Sequence, residues 1–495
     1  MEAVLTGAAL IFDPFNLALI FGGVLIGVLV GALPGLSSPM AIALLMPFSI
    51  TLPPIPAIAM MAALYCAGTF GGSITAILIN TPGAPPAAAT ALDGYPMAKR
   101  GEAGRALGLA AVSSVIGGVI SLAVFLAATP LLAKIAASFG PQEYFALTLF
   151  ALSMLASISG RSSIRNLIAG AVGVLISTVG VHLVTGVERF TFDLVDLSEG
   201  IEFVPVLIGL FAIGEMLNQA DAGEKSRELI RSAVAKLPSR EDIRRCAGTI
   251  LRSSGIGTFI GILPAEGSTV AAIMGYNEAK RWSKRGAEFG TGVPEGIAGP
   301  EAANNAATGG AMVPTLALGI PGSGSTAVIL AALIMHGFRP GPHLMNETPE
   351  FVYAIFTAML IANLSFLAIG LGGAKLFAMI TLVPKAFLWP AVLSFAAIGA
   401  YSVASSFFDV WLMAGAGFLG FLMMRHGFGP APLIMGLILG KMVEESFSQS
   451  MIVYDNEWWR LFERPICVGL FAITALSLAW PLIGRALRKR KETRA

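Results

Sequence analysis

Residues 23–35, GVLIGVLVGALPG, place glycine at every fourth position of an apolar run (Gly23, Gly27, Gly31, Gly35) and interrupt it with Pro34. In water this pattern is costly, because a glycine inside a helix loses roughly 1 kcal/mol against alanine. In lipid the same stripe is useful, since a neighbouring backbone can approach where no side chains intervene. A proline and glycine closing the stripe read as a helix that stops inside the bilayer, beside a site.

Composition agrees with the lipid reading. Of 495 residues, 55% are hydrophobic and only 13% charged, against about 25% charged in soluble domains. The net charge of +2 is spread in short clusters and offers no basic stripe for nucleic acid. Cys66, Cys246 and Cys467 lie far apart, with neither metal-type spacing nor a disulfide framework. The first basic residue is Lys99, so the N-terminal apolar run lacks the basic flank of a cleaved signal peptide.

The chain reads as an all-α polytopic membrane protein with roughly 10–12 transmembrane segments of bilayer-spanning length. Four stretches (39–50, 71–92, 248–276 and 306–338) are short or cut by Gly and Pro, and read as broken helices or re-entrant hairpins. Basic residues set the orientation. Lys99, Arg100 and Arg105, then Arg161 and Arg165, mark cytoplasmic loops, and so does the stretch 220–247, which holds seven lysines and arginines. The expected organisation is a first membrane repeat over 1–219 and a cytoplasmic linker over 220–247. A second repeat with an extra C-terminal helix follows over 248–484, and then a basic tail over 485–495 that anchors at the anionic lipid surface.

An internal repeat is the most informative pattern. The small residues at 23, 27, 31 and 35 are answered by Ser253, Gly257, Gly261 and Ala265, and both runs contain Gly-x-Leu-Pro. Further on, GGSITAILINTPG (71–83) is answered by GGAMVPTLALGIPG (309–322). The loop after the first Pro-Gly unit is basic, whereas its counterpart at 339–350 carries Glu347 and Glu350 beside Arg339. The halves are therefore expected to point in opposite directions, the inverted-topology repeat of secondary transporters. In that architecture substrate sits near mid-membrane, where loosened N–H groups and helix N-termini hold an anion and carbonyls a cation.

The residues at the breaks suit such a site. They are Ser37, Ser38, Asn80, Thr81, Pro82 and Gly83 in the first half. In the second they are Glu266, Gly267, Ser268, Thr269, Pro321, Gly322, Ser323, Gly324 and Ser325. Taken singly, such hydroxyls also satisfy their own helix backbone; taken as paired clusters they form the candidate binding site. A Na⁺ site near the Pro-Gly breaks is part of this reading, with its ligands open. Glu295 and Glu301 either order a Gly-rich segment or touch ligand. His336 reads as structural, and His182, His343 and His426 as solvated loop-end rings.

The stretch EFGTGVPEGIAGPEAANNAATGGAMVPTLALGIPGSGSTAVILAALIMHGFRPGPHL (288–344) resembles the signature region of the large membrane subunit of tripartite tricarboxylate transporters. Residues 71–108 and 27–50 are similar to the matching parts of that family's first half, so the resemblance covers nearly the whole chain. It implies a multi-pass permease of the bacterial inner membrane, with a small membrane subunit and a periplasmic solute-binding protein as partners. It also implies import of an organic, tricarboxylate-like substrate by symport with Na⁺ or H⁺, no other cofactor, and no enzymatic activity. By the same resemblance Asn80–Gly83 and Pro321–Ser323 are the opposed hairpin breaks, and Asn304-Asn305 a polar pair entering the second. The chain departs from the family after Gly-x-Leu-Pro, where Ala265-Glu266-Gly267 replaces Gly-x-Gly; Glu266 is then either a membrane-embedded carboxylate and a functional candidate, or one that reaches water or pairs with a lysine or arginine. The alternatives are a stand-alone transporter or channel for small anions, and an intramembrane enzyme using Ser323 or Ser325 with His336, which lacks a nucleophile motif at workable spacing.

Overall fold

The computed structural model describes residues 2–33, 35–155, 163–182, 184–222, 237–263, 267–372 and 385–492. Within these the backbone alone is described at 129, 130, 132, 133, 136, 342, 343, 385–387 and 480–492. Pro34, Arg161, Pro264, Ala265, Glu266, half of the 220–247 linker (223–236) and the last three residues of the tail therefore lie outside the described residues or side chains.

The chain is helical almost throughout. It runs α1 (Glu2–Ile11), α2 (Pro14–Ala32), α3 (Ser38–Ser49), α4 (Pro54–Ile79), α5 (Ala87–Met97), α6 (Ala103–Ala136), α7 (Pro141–Met154) and α8 (Ser163–Ser177). Then come α9 (Phe203–Ile208), α10 (Gly214–Ala222), α11 (Arg240–Ile262), α12 (Gly267–Trp282), α13 (Glu295–Leu318) and α14 (Gly324–Met335). The last are α15 (Pro342–Glu347), α16 (Pro349–Gly372), α17 (Lys385–Ala404), α18 (Phe407–Arg425), α19 (Pro430–Val453) and α20 (Pro465–Glu492). A two-residue antiparallel ladder pairs Gly180–Val181 with Glu188–Arg189. Among the described residues six helices are long and apolar enough to cross a membrane, and further apolar helices are 10–17 residues long. The protein is an all-α polytopic membrane protein.

Two compact units divide the chain: Met1–Ala133 with Val204–Leu422, and Lys134–Phe203 with Met423–Ala495. In the smaller unit α8 packs on α19 through glycine. A Cβ on Gly173 would lie 2.8 Å from the Leu437 nitrogen, and one on Gly440 would lie 3.1 Å from Val174 Cα. Polar ties hold the same unit together, including Gln142 Nε2 to the Tyr454 hydroxyl at 2.9 Å and Arg189 paired with Glu444.

The larger unit contains a repeated four-element motif. Asp13 caps α2, accepting from the Phe15 N–H at 2.9 Å, and α2 ends where Leu33 turns extended (φ −92°, ψ 115°). A residue before proline is driven out of the helical region, and Pro34 follows. The second copy starts at a Ser239/Asp242 capping box and ends at Leu263 (φ −76°, ψ 129°), again just before a proline. In both copies the capping leucine N–H bonds three residues back, to Val30 or to Ile260 at 3.1 Å.

Each stopped helix lies along a partner helix through its glycines. A Cβ on Gly27 would sit 2.6 Å from the Leu64 carbonyl oxygen of α4, and one on Gly31 would sit 2.9 Å from Gly71 Cα. In the second copy Gly257 meets Ala303, and a Cβ on Gly261 would sit 2.5 Å from the Ala307 oxygen of α13. Reciprocally, Gly71 faces the Val28 oxygen at 2.8 Å and Gly310 the Thr258 oxygen at 2.5 Å, as seen from an added Cβ. The repeat is thus a repeat of contacts. It sets Gly71 against Gly310, one residue off the pairing of the glycine doublets read from the sequence.

Helices α4 and α13 form the core of this unit and are buried almost end to end. They run antiparallel: Ser73 of α4 meets Glu301 near the start of α13, whereas Cys66 meets Thr308, further along α13 and earlier along α4. Helix α6 lies alongside α13, with Ser114 on Glu301 and Ser121 on Gly309. Helix α16 lies alongside α4, with Phe366 stacked on Phe70 at 5.1 Å between centroids. Equivalent helices of the two copies therefore pack head to tail.

Candidate functional site

Both core helices end in the same way. Asn80 takes a left-handed conformation (φ 52°), and the N–H groups of Asn80 and Thr81 both bond the Thr75 carbonyl, the latter at 3.3 Å. Gly319 does so at φ 72°, and the N–H groups of Gly319 and Ile320 bond the Pro314 carbonyl, the latter at 3.1 Å. This is the left-handed helix stop that suits asparagine or glycine. Pro82-Gly83 and Pro321-Gly322 follow at matching positions and turn the chain back along its own helix.

In the first half the Gly83 N–H bonds the Gly72 oxygen at 3.1 Å, and a Cβ there would lie 2.9 Å from Thr75 Oγ1. Thr81 Oγ1 donates to the Ile79 carbonyl at 3.2 Å, and Asn80 is exposed. Ser37 caps α3, accepting from the Met40 N–H at 3.4 Å, while Ser38 is buried against Gly68 of α4. Ser38, Gly83 and the glycine stripe therefore converge on Gly68–Gly72 of α4.

In the second half Gly322 packs on Ala311, with an added Cβ only 2.8 Å from Ala311 Cα, and its N–H points to Thr315 Oγ1 at 3.4 Å. Ser323 caps α14: its Oγ accepts from the Thr326 N–H at 3.2 Å, and its own N–H donates to Thr326 Oγ1 at 2.8 Å. Pro321, Gly324 and Ser325 are buried with it. Gly267 opens α12 and is buried, whereas Ser268 and Thr269 are half-buried. Glu266 lies outside the described residues.

A hydrogen bond across the two halves joins Ser323 Oγ to the Tyr65 hydroxyl of α4 at 3.1 Å. Among the described residues no hydrogen bond links Asn80–Thr81 to Ser323–Ser325. Asn304 and Asn305 lie within buried α13, at 1% and 0% exposure, and Asn304 Oδ1 and both polar atoms of the Asn305 amide have no partner. Leaving a buried polar group unpaired costs about 1–3 kcal/mol. Asn304 and Asn305 thus hold unused hydrogen-bonding capacity in the protein's interior.

Glu301 stood out in the sequence, but the partners it gathers at this centre did not. Glu301 is fully buried and receives the hydroxyls of Ser73, Thr90 and, at 2.8 Å, Ser114. Tyr65, Cys66, Thr308 and Asn363 complete the polar core. The available signal for Glu301 was its spacing: at i, i+3 and i+4 it shares a face of α13 with Asn304 and Asn305. Glu295 has a different setting, pairing with Arg245 at 2.8 Å at the helix start. His336 ends α14 and its Nε2 lies 3.2 Å from Ser49 Oγ.

Buried, interrupted helices around unpaired amides define a polytopic membrane protein with a polar centre inside its helical core. The sequence profile of the tripartite tricarboxylate transporter TctA family matches residues 17–435, and the chain belongs to that family. It is 39% identical over 478 residues to the uncharacterized 52.8 kDa protein in the TAR-I ttuC' 3' region of Agrobacterium vitis, covering 96% of this chain and 95% of that one. It is 35% identical over 236 residues to an uncharacterized protein in the TAR-II ttuC' 3' region of the same organism, covering 48% of this chain and 98% of that one. No solved structure matches it.

Proposed function

We propose that the chain is the permease subunit of a binding-protein-dependent secondary transporter, importing an organic, tricarboxylate-like anion by symport with Na⁺ or H⁺. It works in the bacterial inner membrane with a small membrane subunit and a periplasmic solute-binding protein. The observation that carries this reading is the antiparallel pairing of α4 with α13. Each ends in a left-handed cap and a Pro-Gly break, and Asn304 and Asn305 keep unpaired amide atoms in the buried length of α13.

The substrate carboxylates are held without a lysine or arginine. The Asn305 amide donates, as do the hydroxyls of Ser37, Ser38, Ser268, Thr269, Ser323 and Ser325 and the N–H groups at the starts of α3, α12 and α14. Such N-termini carry partial positive charge. Carbonyls loosened at the breaks suit a coupling Na⁺.

The test is uptake of labelled carboxylates by proteoliposomes holding the full chain and both partners, under imposed Na⁺ or pH gradients. Accumulation that needs the binding protein and one of the gradients is expected. Uptake that persists without the binding protein points to a stand-alone carrier, and uptake indifferent to both gradients refutes symport.

A further inference from the structure

Glu301 is a carboxylate in a place where a fixed charge is expensive. It is fully buried on α13, and three hydroxyls converge on it from three separate elements of the other repeat copy: Ser73 of α4, Thr90 of α5 and Ser114 of α6. No ion pair to Glu301 occurs among the described residues. Burying an ionised carboxylate without a cation costs several kcal/mol even after relaxation.

None of the ion pairs on the elements around it includes Glu301. Asp93 of α5 accepts the N–H groups of Gly290, Gly292 and Val293 at 2.8–2.9 Å and the Tyr276 hydroxyl of α12. Arg105 of α6 holds Glu102 and Asp242, Glu295 of α13 holds Arg245, and Arg252 of α11 faces Glu278 of α12. Helix α4 has no charged side chain; its titratable Tyr65 and Cys66 engage Ser323, and Thr308 with Asn363.

The shell is suited to a group that changes its protonation state. A hydroxyl both donates and accepts. Around the ionised carboxylate all three donate; when a proton binds one carboxyl oxygen, a single hydroxyl turns and accepts from it. No partner has to leave and no cation has to arrive. A shared metal ion fits less well, because oxygens around a cation at about 2.4 Å stand further apart than hydrogen-bonded ones. Asn304 and Asn305 lie one turn along the same face, so a proton on Glu301 is sensed next to the unpaired amides.

We propose that Glu301 is the residue that binds and releases the coupling proton, with Ser73, Thr90 and Ser114 as its hydroxyl cage. This rests on the symport reading and narrows it to H⁺.

Infrared difference titration of the full chain in lipid nanodiscs tests proton binding without any substrate. Among the carboxylic acid signals that grow on acidification, one component present in the wild type is expected to be lost in Glu301→Gln and kept in Glu295→Gln, over the background of the other Asp and Glu side chains. Ser114→Ala keeps that component but moves its frequency, because one hydrogen bond to the carboxyl is gone; this arm stands if Glu301→Gln fails to fold. The same titration spectrum in Glu301→Gln as in the wild type overturns the proposal, as does a carboxylate that stays ionised at every pH and responds to Na⁺.

The transport arm uses whichever carboxylate the proteoliposome panel accumulates. One pH unit supports about a tenfold concentration ratio per proton carried. Glu301→Gln collapses that ratio to about one while exchange of labelled for unlabelled substrate continues. Loss of exchange as well, in a variant that still folds, assigns Glu301 to substrate holding and overturns the proton role. If the wild type accumulates nothing under any gradient, the symport reading fails, and the infrared arm still decides whether Glu301 takes a proton.

Discussion

Replacing Gly261 by alanine is a direct test of the close packing between α11 and α13. The new Cβ would lie 2.5 Å from the Ala307 oxygen and 2.8 Å from Ala307 Cα, both backbone atoms with no rotamer to yield. Ordinary contact begins near 3.4 Å, so the two helices must part by about 0.9 Å, a gap that forfeits a quarter to a half of the dispersion attraction of each contact it opens. A cost of about 1–3 kcal/mol follows, as for other overpacked interiors. Gly255 lies on the same helix with nothing within 4 Å of an added Cβ, so Gly255→Ala is neutral or slightly stabilising. Gly31→Ala, at the equivalent place between α2 and α4, should match Gly261→Ala, and Gly22→Ala should match Gly255→Ala. The assay is thermal unfolding of purified protein in detergent, followed by the loss of the monodisperse chromatographic peak. If Gly261→Ala melts no earlier than Gly255→Ala, the backbone contact is wrong.

Asn305→Leu removes an unpartnered buried amide, so the protein should be as stable or more stable, while carboxylate uptake falls about tenfold or more through the loss of about 1.5–3 kcal/mol of charged hydrogen bonding. Thermal melts beside uptake rates check this, and unchanged uptake refutes it. Tyr65→Phe and Ser323→Ala each break the 3.1 Å bond across the two copies; each should cost about 1 kcal/mol, and a double-mutant cycle should show the two losses to be non-additive. Arg105 reaches Asp242 at 2.9 and 2.5 Å and holds its carboxyl below the usual carboxylate range, at the start of α11 and outside the spanning segments. Its contribution is therefore present above the unfolded carboxylate value and lost as pH falls through the lower folded one. Asp242→Asn should destabilise the protein at neutral pH and flatten the acid limb of its pH–stability profile, as melts across a pH series will report.

The glycine stripes and the Gly-x-Leu-Pro stops could be read from sequence because backbone packing leaves its mark at the contacting residue itself. Gly27, Gly31, Gly257 and Gly261 are small because a carbonyl lies where their side chains would be. The register of the second helix was harder to read. The doublets Gly71-Gly72 and Gly309-Gly310 look equivalent as letters, yet the contact with the first helix equates Gly71 with Gly310, since only one glycine of each doublet faces it. The polar core was less legible still. Ser73, Thr90 and Ser114 are unremarkable hydroxyls on three different helices, and only the tertiary packing brings them to Glu301. Tyr65 gave no sign either, because its partner Ser323 is 258 residues away.

Contacts of glycine on backbone carbonyl have a mechanical consequence. They leave no side-chain rotamers to trade, so each pair, α2 with α4 and α11 with α13, behaves as a stiff plank. Where the planks meet, along α4 and α13, the polar contacts are the Ser73 hydroxyl on the Glu301 carboxylate and the Cys66 thiol beside Thr308, groups that can exchange partners within a fraction of an ångström. Relative movement of the two pairs is therefore easier by sliding at that polar seam than by bending either pair.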